Sequence, residues 1–115
     1  MWLRLTPEEE VRRRVVRHLI ERLGVPRTHI VEEYPVNLNS QPQRADIVVV
    51  DRELKPWLVV ECKAPEVPIS QSVIDQAVRY NSIIGANQVV VTNGKRVRAF
   101  ALTEKGTYAE CAFPY

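Results

Sequence analysis

Two nearly unbroken runs of aliphatic and β-branched residues, Ala45 to Val50 and Trp57 to Val60, stand six residues apart near the middle of the chain. A strand with one solvated face alternates apolar and polar side chains. These runs do not alternate, so they predict strands buried on both faces at the centre of a sheet. The spacer Asp51-Arg52-Glu53-Leu54-Lys55-Pro56 is short and polar and fits a hairpin connection. A hairpin of this kind needs cover on both sides.

The flanking sequence supplies it. Thr6 is a good helix N-cap, Pro7 suits the first helical position, and Glu9 three residues after Thr6 completes a capping box. Val11, Val15, Val16, Leu19, Ile20 and Leu23 then recur at helical spacing, and Gly24 with Pro26 ends the helix. A strand is expected over His29 to Val36, followed by a mobile loop over Asn37 to Gln43. Pro65 and Pro68 close the second apolar run. A second helix should start near Ser70 or Ser72, with Ser72 and Asp75 as a capping box. It carries Val73, Ala77, Tyr80 and Ile84, and ends at Gly85. Gln88 to Thr92 reads as a strand, Asn93-Gly94 as a tight turn, Lys95 to Leu102 as the returning arm, and Thr107 to Phe113 as a weaker last strand. The expected fold class is α/β: a mixed central sheet flanked by helices, in the order α-β-β-β-α-β plus C-terminal strands.

With 115 residues, 45% hydrophobic and 26% charged, the composition fits one globular domain, 1–115, and excludes a disordered tail, a rod or an ATP-driven motor. The net charge of +2 does not by itself declare a nucleic-acid binder. No run of about 18 apolar residues is present, so no membrane span is expected. The start, Met1-Trp2-Leu3-Arg4, reads without a secretory signal, and Cys62 and Cys111 form no CxxC pair; both are expected to be free, buried thiols in a reducing cytoplasm. Twelve of the 16 basic residues are arginine, which favours planar contacts to phosphate or carboxylate.

The chemistry lies where charge interrupts the apolar runs. Asp46 opens the first, in Arg44-Ala45-Asp46-Ile47, and Glu61 and Lys63 close the second. Residues two apart on a strand share a face, so Glu61 and Lys63 point the same way, and the hairpin brings Asp46 beside Glu61. Two adjacent buried carboxylates repel. A hard divalent cation relieves the conflict, because Mg²⁺ takes oxygen ligands and is often held by one or two carboxylates plus phosphate. A nearby lysine can orient water or offset charge developing on phosphate. The pattern therefore favours metal-assisted phosphodiester hydrolysis over a plain salt bridge at a sheet end.

The segments Thr6-Pro7-Glu8-Glu9-Glu10-Val11-Arg12, Arg44-Ala45-Asp46-Ile47-Val48-Val49, Val59-Val60-Glu61-Cys62-Lys63-Ala64-Pro65 and Gln76-Ala77-Val78-Arg79-Tyr80-Asn81 together resemble the PD-(D/E)XK nuclease superfamily. More narrowly, they are similar to the N-terminal nuclease domain of type I restriction enzyme R subunits. Over about residues 6 to 100 the order of motifs matches. Ala45 stands where the superfamily nominally has proline, and the motor domains of R subunits are missing from this chain.

The resemblance implies a restriction-endonuclease-like core and a DNA endonuclease using Mg²⁺ or Mn²⁺. Asp46, Glu61 and the Cys62 backbone carbonyl would hold the metal, and Lys63 would position the attacking water. A first-helix glutamate would approach the metal. Glu9 is claimed by the capping box, Glu8 lies near the middle of the apolar face and Glu10 points away, so Glu8 is the first choice and Glu9 the second. Gln76 and Tyr80, four apart on one helical face, would help engage DNA. Arg44 is a phosphate candidate beside Asp46. Arg12 is another, although it also stands one turn from Glu8 and is expected to pair with it.

Lys95, Arg96 and Arg98 are further candidates for backbone contacts. His18 and His29 lack ligand spacing, and Trp2 and Trp57 read as packing residues. The implied partners are DNA, a second copy if both strands are cut, and restriction-modification or helicase subunits. The competing reading is a catalytically silent module that keeps the nuclease fold and binds nucleic acid or protein. A third reading makes Asp46 and Lys63 a stabilising ion pair.

Overall fold

A computed structural model describes residues 4–113. Helix α1 spans Pro7–Glu21, a 3₁₀ turn spans Arg27–His29, and strands β1, β2 and β3 span Ile30–Leu38, Gln41–Val50 and Pro56–Cys62. Helix α2 spans Gln71–Ile84, followed by β4 (Gln88–Thr92), β5 (Val97–Leu102) and β6 (Tyr108–Cys111). The six strands lie in sequence order in one sheet. All neighbours are antiparallel except β3 and β4, which run parallel because α2 crosses between them.

The capping box forms as the sequence requires: the Glu9 amide donates to Thr6 Oγ1 at 3.1 Å and the Thr6 amide to Glu9 Oε1 at 2.9 Å. Val11, Val15 and Leu19 bury against Ile47, Val49, Leu58, Val60 and Cys62 on one face of the sheet. On the other face Val48, Val50 and Val59 pack with Tyr80 of α2, and Val89 and Val91 with Ala77. β2 and β3 are thus covered on both faces, as their unbroken apolar runs demand. Trp57 packs against the α1 cluster. Trp2 lies outside the described residues.

Three local expectations are corrected. The stretch from Asn37 to Gln43 is not a mobile loop: β1 and β2 continue through it to a two-residue turn at Asn39 and Ser40, both with positive φ (52° and 62°). Such a turn matches strand twist, so the polar residues beside it stay in the ladder. Helix α2 is not opened by a Ser72–Asp75 box: Ser70 is its N-cap without a side-chain cap bond, and Asp75 accepts instead from Gln71 Nε2 at 2.9 Å. The returning arm after Asn93-Gly94 starts at Val97, because the Asn93 side chain holds the amides of Lys95 and Arg96 in the turn. Cys62 is buried and Cys111 only partly so, and both thiols are free.

Candidate functional site

At one end of the β2–β3 hairpin the ladder runs out. Paired residues extend from Val50–Pro56 to Ile47–Val60 and stop short of Asp46 and Glu61. Side chains take over where the backbones part. The Asp46 amide donates to Glu61 Oε1 at 3.1 Å, and the Cys62 amide donates to Asp46 Oδ2 at 2.7 Å. Each carboxylate therefore satisfies a main-chain donor of the opposite strand, which fixes both groups on the most rigid part of the sheet.

Their electrostatics are poised. Glu61 is 5% exposed. Burial, and then the neighbouring charge of Asp46, push its carboxyl up to about 8. Burial raises Asp46 as well, opposed by the Cys62 amide that favours its anion. Two adjacent carboxylates, one buried and one half-buried, resist ionising together, a conflict that a divalent cation would relieve. Burial also raises the Cys62 thiol strongly, so it stays protonated and inert.

Lys63 follows at the strand end. Its amide donates to the Thr92 carbonyl at 2.9 Å, tying it to β4. Among the described residues its ammonium forms no ion pair with Asp46 or Glu61 within 4.0 Å. The Asp46–Lys63 ion pair of the third reading is therefore not formed, although the positive charge of Lys63 favours the anions of both acids.

The first turn of α1 faces Asp46 across a cavity of about 300 Å³ lined by Thr6, Glu8, Glu9, Arg12, Glu33 and Asp46. Glu8 lies at this cavity, and Glu9 does too while serving as the cap partner. Among the described residues no group of three or more His, Cys, Asp or Glu side chains is placed to hold one metal ion. Of the acidic residues expected to hold a metal, Asp46 and Glu61 are the two brought into contact.

Arg12 does not pair with Glu8. It reaches β1, with Nε 3.3 Å from Glu32 and Nη1 3.8 Å from Glu33, because its side of the helix packs over that strand. Arg44 is exposed and lies 3.8 Å from the other Glu33 oxygen. Glu33 itself was not legible as a site residue. It adopts φ +53° within β1, at the point where pairing skips from Glu32–Ile47 to Tyr34–Ala45, opposite Asp46. A strained non-glycine residue at this place brings a further carboxylate to the cavity.

Gln76 and Tyr80 do meet. Gln76 Nε2 donates to the Tyr80 hydroxyl at 3.2 Å, which donates to Gln43 Oε1 at 3.3 Å. Burial and then the charges of Glu61 and Asp46 raise the Tyr80 phenol, whose ring packs in the core under the sheet. Gln43 is a partner the sequence did not reveal, since its stretch read as loop.

The sequence matches the family model "Type I restriction enzyme R protein N terminus (HSDR_N)" over residues 7–112. No curated protein matches significantly. Among solved structures, a fragment assigned as an HsdR subunit of a type I restriction enzyme from Vibrio vulnificus is similar over 93% of this chain, with 25% identity and a TM-score of 0.69. The type IIG restriction endonuclease BpuSI is similar over 91% with 18% identity and a TM-score of 0.61. A protein from Anabaena variabilis assigned as a DUF820 nuclease aligns over 98% with 10% identity and a TM-score of 0.56; these last two likenesses concern the fold. The present chain spans only 23% of the Vibrio fragment, 13% of BpuSI and 71% of the Anabaena protein. The mixed sheet with α2 crossing between β3 and β4, and the match across nearly the whole chain, place this protein in the family of type I restriction enzyme R protein N-terminal domains, with a restriction-endonuclease-like fold.

Proposed function

We propose that this domain is a metal-dependent endodeoxyribonuclease that hydrolyses DNA phosphodiester bonds. The observation that carries the proposal is the pair of buried Glu61 and half-buried Asp46, held by reciprocal backbone hydrogen bonds at a sheet end with Lys63 beside it. The donor set suits Mg²⁺ or Mn²⁺: hard oxygens, two carboxylates whose shared negative charge is costly without a cation, and room for a phosphate to complete the coordination. Asp46 and Glu61 would hold the ion, with the Cys62 carbonyl and Glu8 as further oxygen ligands. A cation held there neutralises the pair and supplies Lewis acidity to the scissile phosphate.

The chain's own residues account for the rest. Asp46 and Glu61 are fixed by main-chain donors, so they present oxygens without rearrangement. Lys63, free of a carboxylate partner, directs its ammonium charge to the attacking water and to the negative charge that grows on the phosphate. Water attacks phosphorus and passes its proton to solvent, the bond to the leaving oxygen breaks, and that oxygen takes up a proton from a second water. Tyr80 and Gln76, linked by their hydrogen bond, support the site from α2 and engage DNA. Arg44 and Arg12 contact backbone phosphate in exchange for Glu33 and Glu32. Cutting both strands calls for two such sites, hence a homodimer or a partner subunit of a restriction-modification system.

The test is cleavage of plasmid DNA with Mg²⁺, Mn²⁺ or chelator, by the wild type, Asp46→Asn and Lys63→Ala. Asparagine keeps an acceptor for the Cys62 amide, so the fold survives. Metal-dependent cutting by the wild type and its loss in both variants supports the proposal. Equal cutting by all three refutes it. One observation favours a second reading: both carboxylates have a structural task at the strand ends whether or not a metal binds. A silent module of this fold would bind DNA or protein without cutting under any metal.

A further inference from the structure

We propose that the groove beside Lys63 receives the sugar–phosphate backbone of the DNA strand engaged at Asp46 and Glu61; this rests on the nuclease function proposed above. The groove holds about 440 Å³, larger than the cavity at Asp46. One wall is the segment Pro65 to Ile69, directly after Lys63. The other is the β4–β5 turn with Asn93, Lys95 and Arg96. The Lys63–Thr92 backbone bond joins the two walls at their root, two residues along β3 from Glu61.

Its shape is fixed by a buried side chain. Asn93 is 4% exposed, and both its amide nitrogen and its oxygen are bonded within the fold. Nδ2 donates to the Val67 carbonyl at 2.8 Å, while Oδ1 accepts from the Lys95 and Arg96 amides at 2.9 and 2.8 Å. This clasp ties the two walls together beside Lys95 and Arg96. Both are exposed, and among the described residues neither forms an ion pair. A third cation approaches the same turn: a Cβ placed on Gly94 would lie 2.6 Å from Arg14 Nη2, so the Arg14 guanidinium rests on the turn. The single carboxylate of the groove, Glu66, is exposed and likewise makes no ion pair among the described residues.

The lining selects the occupant. Pro65, Val67, Pro68 and Ile69 offer an apolar wall suited to deoxyribose, and the cations suit phosphate. Contact of these cations with phosphate would fix the strand's register, and phosphate contact itself carries no sequence information.

The experiment measures affinity for a fluorescent 20-base-pair duplex by anisotropy, with chelator present so that nothing is cut, over a range of salt. It compares the wild type, Lys95→Ala/Arg96→Ala, and Arg52→Ala/Lys105→Ala. The last removes the same charge from turns at the opposite end of the sheet. Losing two phosphate contacts should lower the salt slope by about 2, with weaker binding at low salt, in the first double variant only. An unchanged slope in that variant, an equal drop in both, or no binding by the wild type overturns the groove. The nuclease function fails separately, by absence of metal-dependent cutting in a protein whose binding still depends on Lys95 and Arg96.

Discussion

Without metal, the acid pair should make the fold less stable as pH rises, and Glu61→Gln should abolish that dependence. The Glu61 carboxyl moves from an ordinary 4.5 to about 8 in the folded protein. The native state therefore holds a proton that the unfolded chain has released across this interval, so stability is full below about 4.5 and falls as pH rises through 8. At about 1.4 kcal/mol per pH unit, the span corresponds to a loss on the order of 5 kcal/mol. That is a large share of the 5–15 kcal/mol typical of a small domain.

Glutamine is neutral at every pH and keeps the oxygen that accepts from the Asp46 amide. Urea unfolding in chelator at pH 5, 6, 7, 8 and 9 measures both proteins, and their difference removes the contributions of all groups the two share. The variant should gain on the wild type steadily between pH 5 and 8. Added Mn²⁺ should restore the wild type at pH 8 and leave the variant unchanged. Parallel pH profiles for the two proteins would refute the burial and charge coupling on which the site is built.

Four other substitutions separate roles that lie close together. Glu9→Ala removes half of the capping box and should lower the melting temperature without changing DNA cutting, whereas Glu8→Ala should leave stability intact and reduce metal-dependent cutting by roughly tenfold or more. Gly94→Ala places a Cβ against Arg14 at φ +87°, and should cost about 1–3 kcal/mol in urea unfolding. Tyr80→Phe breaks the Gln76–Tyr80–Gln43 chain and should cost about 0.5–1.5 kcal/mol, read from the same urea midpoints; no change would show that the two long hydrogen bonds contribute nothing.

Much of this architecture is local in origin and so was legible. The unbroken Ala45–Val50 and Trp57–Val60 runs dictate burial on both faces, and the Thr6–Glu9 box and Gly85 mark helix ends through chemistry that acts within one turn. Asp46 beside Glu61 follows from a six-residue spacer. What escaped depends on residues distant in sequence. The Asn37–Gln43 stretch looks like loop because its residues are polar, yet two positive-φ residues allow the hairpin to close tightly and deliver Gln43 to Tyr80. Arg12 seemed bound to Glu8 one turn away, but β1 brings Glu32 and Glu33 nearer. Asn93 signalled only a turn, and its hold on Val67 appears once the chain has folded.

The most direct test of the central claim is the amount of Mn²⁺ bound per domain on duplex DNA, read from the loss of the free-Mn²⁺ electron paramagnetic resonance signal. Lys63→Ala serves as the background, so that DNA is not cut while the proposed ligands stay in place. The account predicts Mn²⁺ retention by Lys63→Ala and its loss when Asp46→Asn is added. Equal Mn²⁺ binding with and without Asp46, or none in either protein, would contradict it.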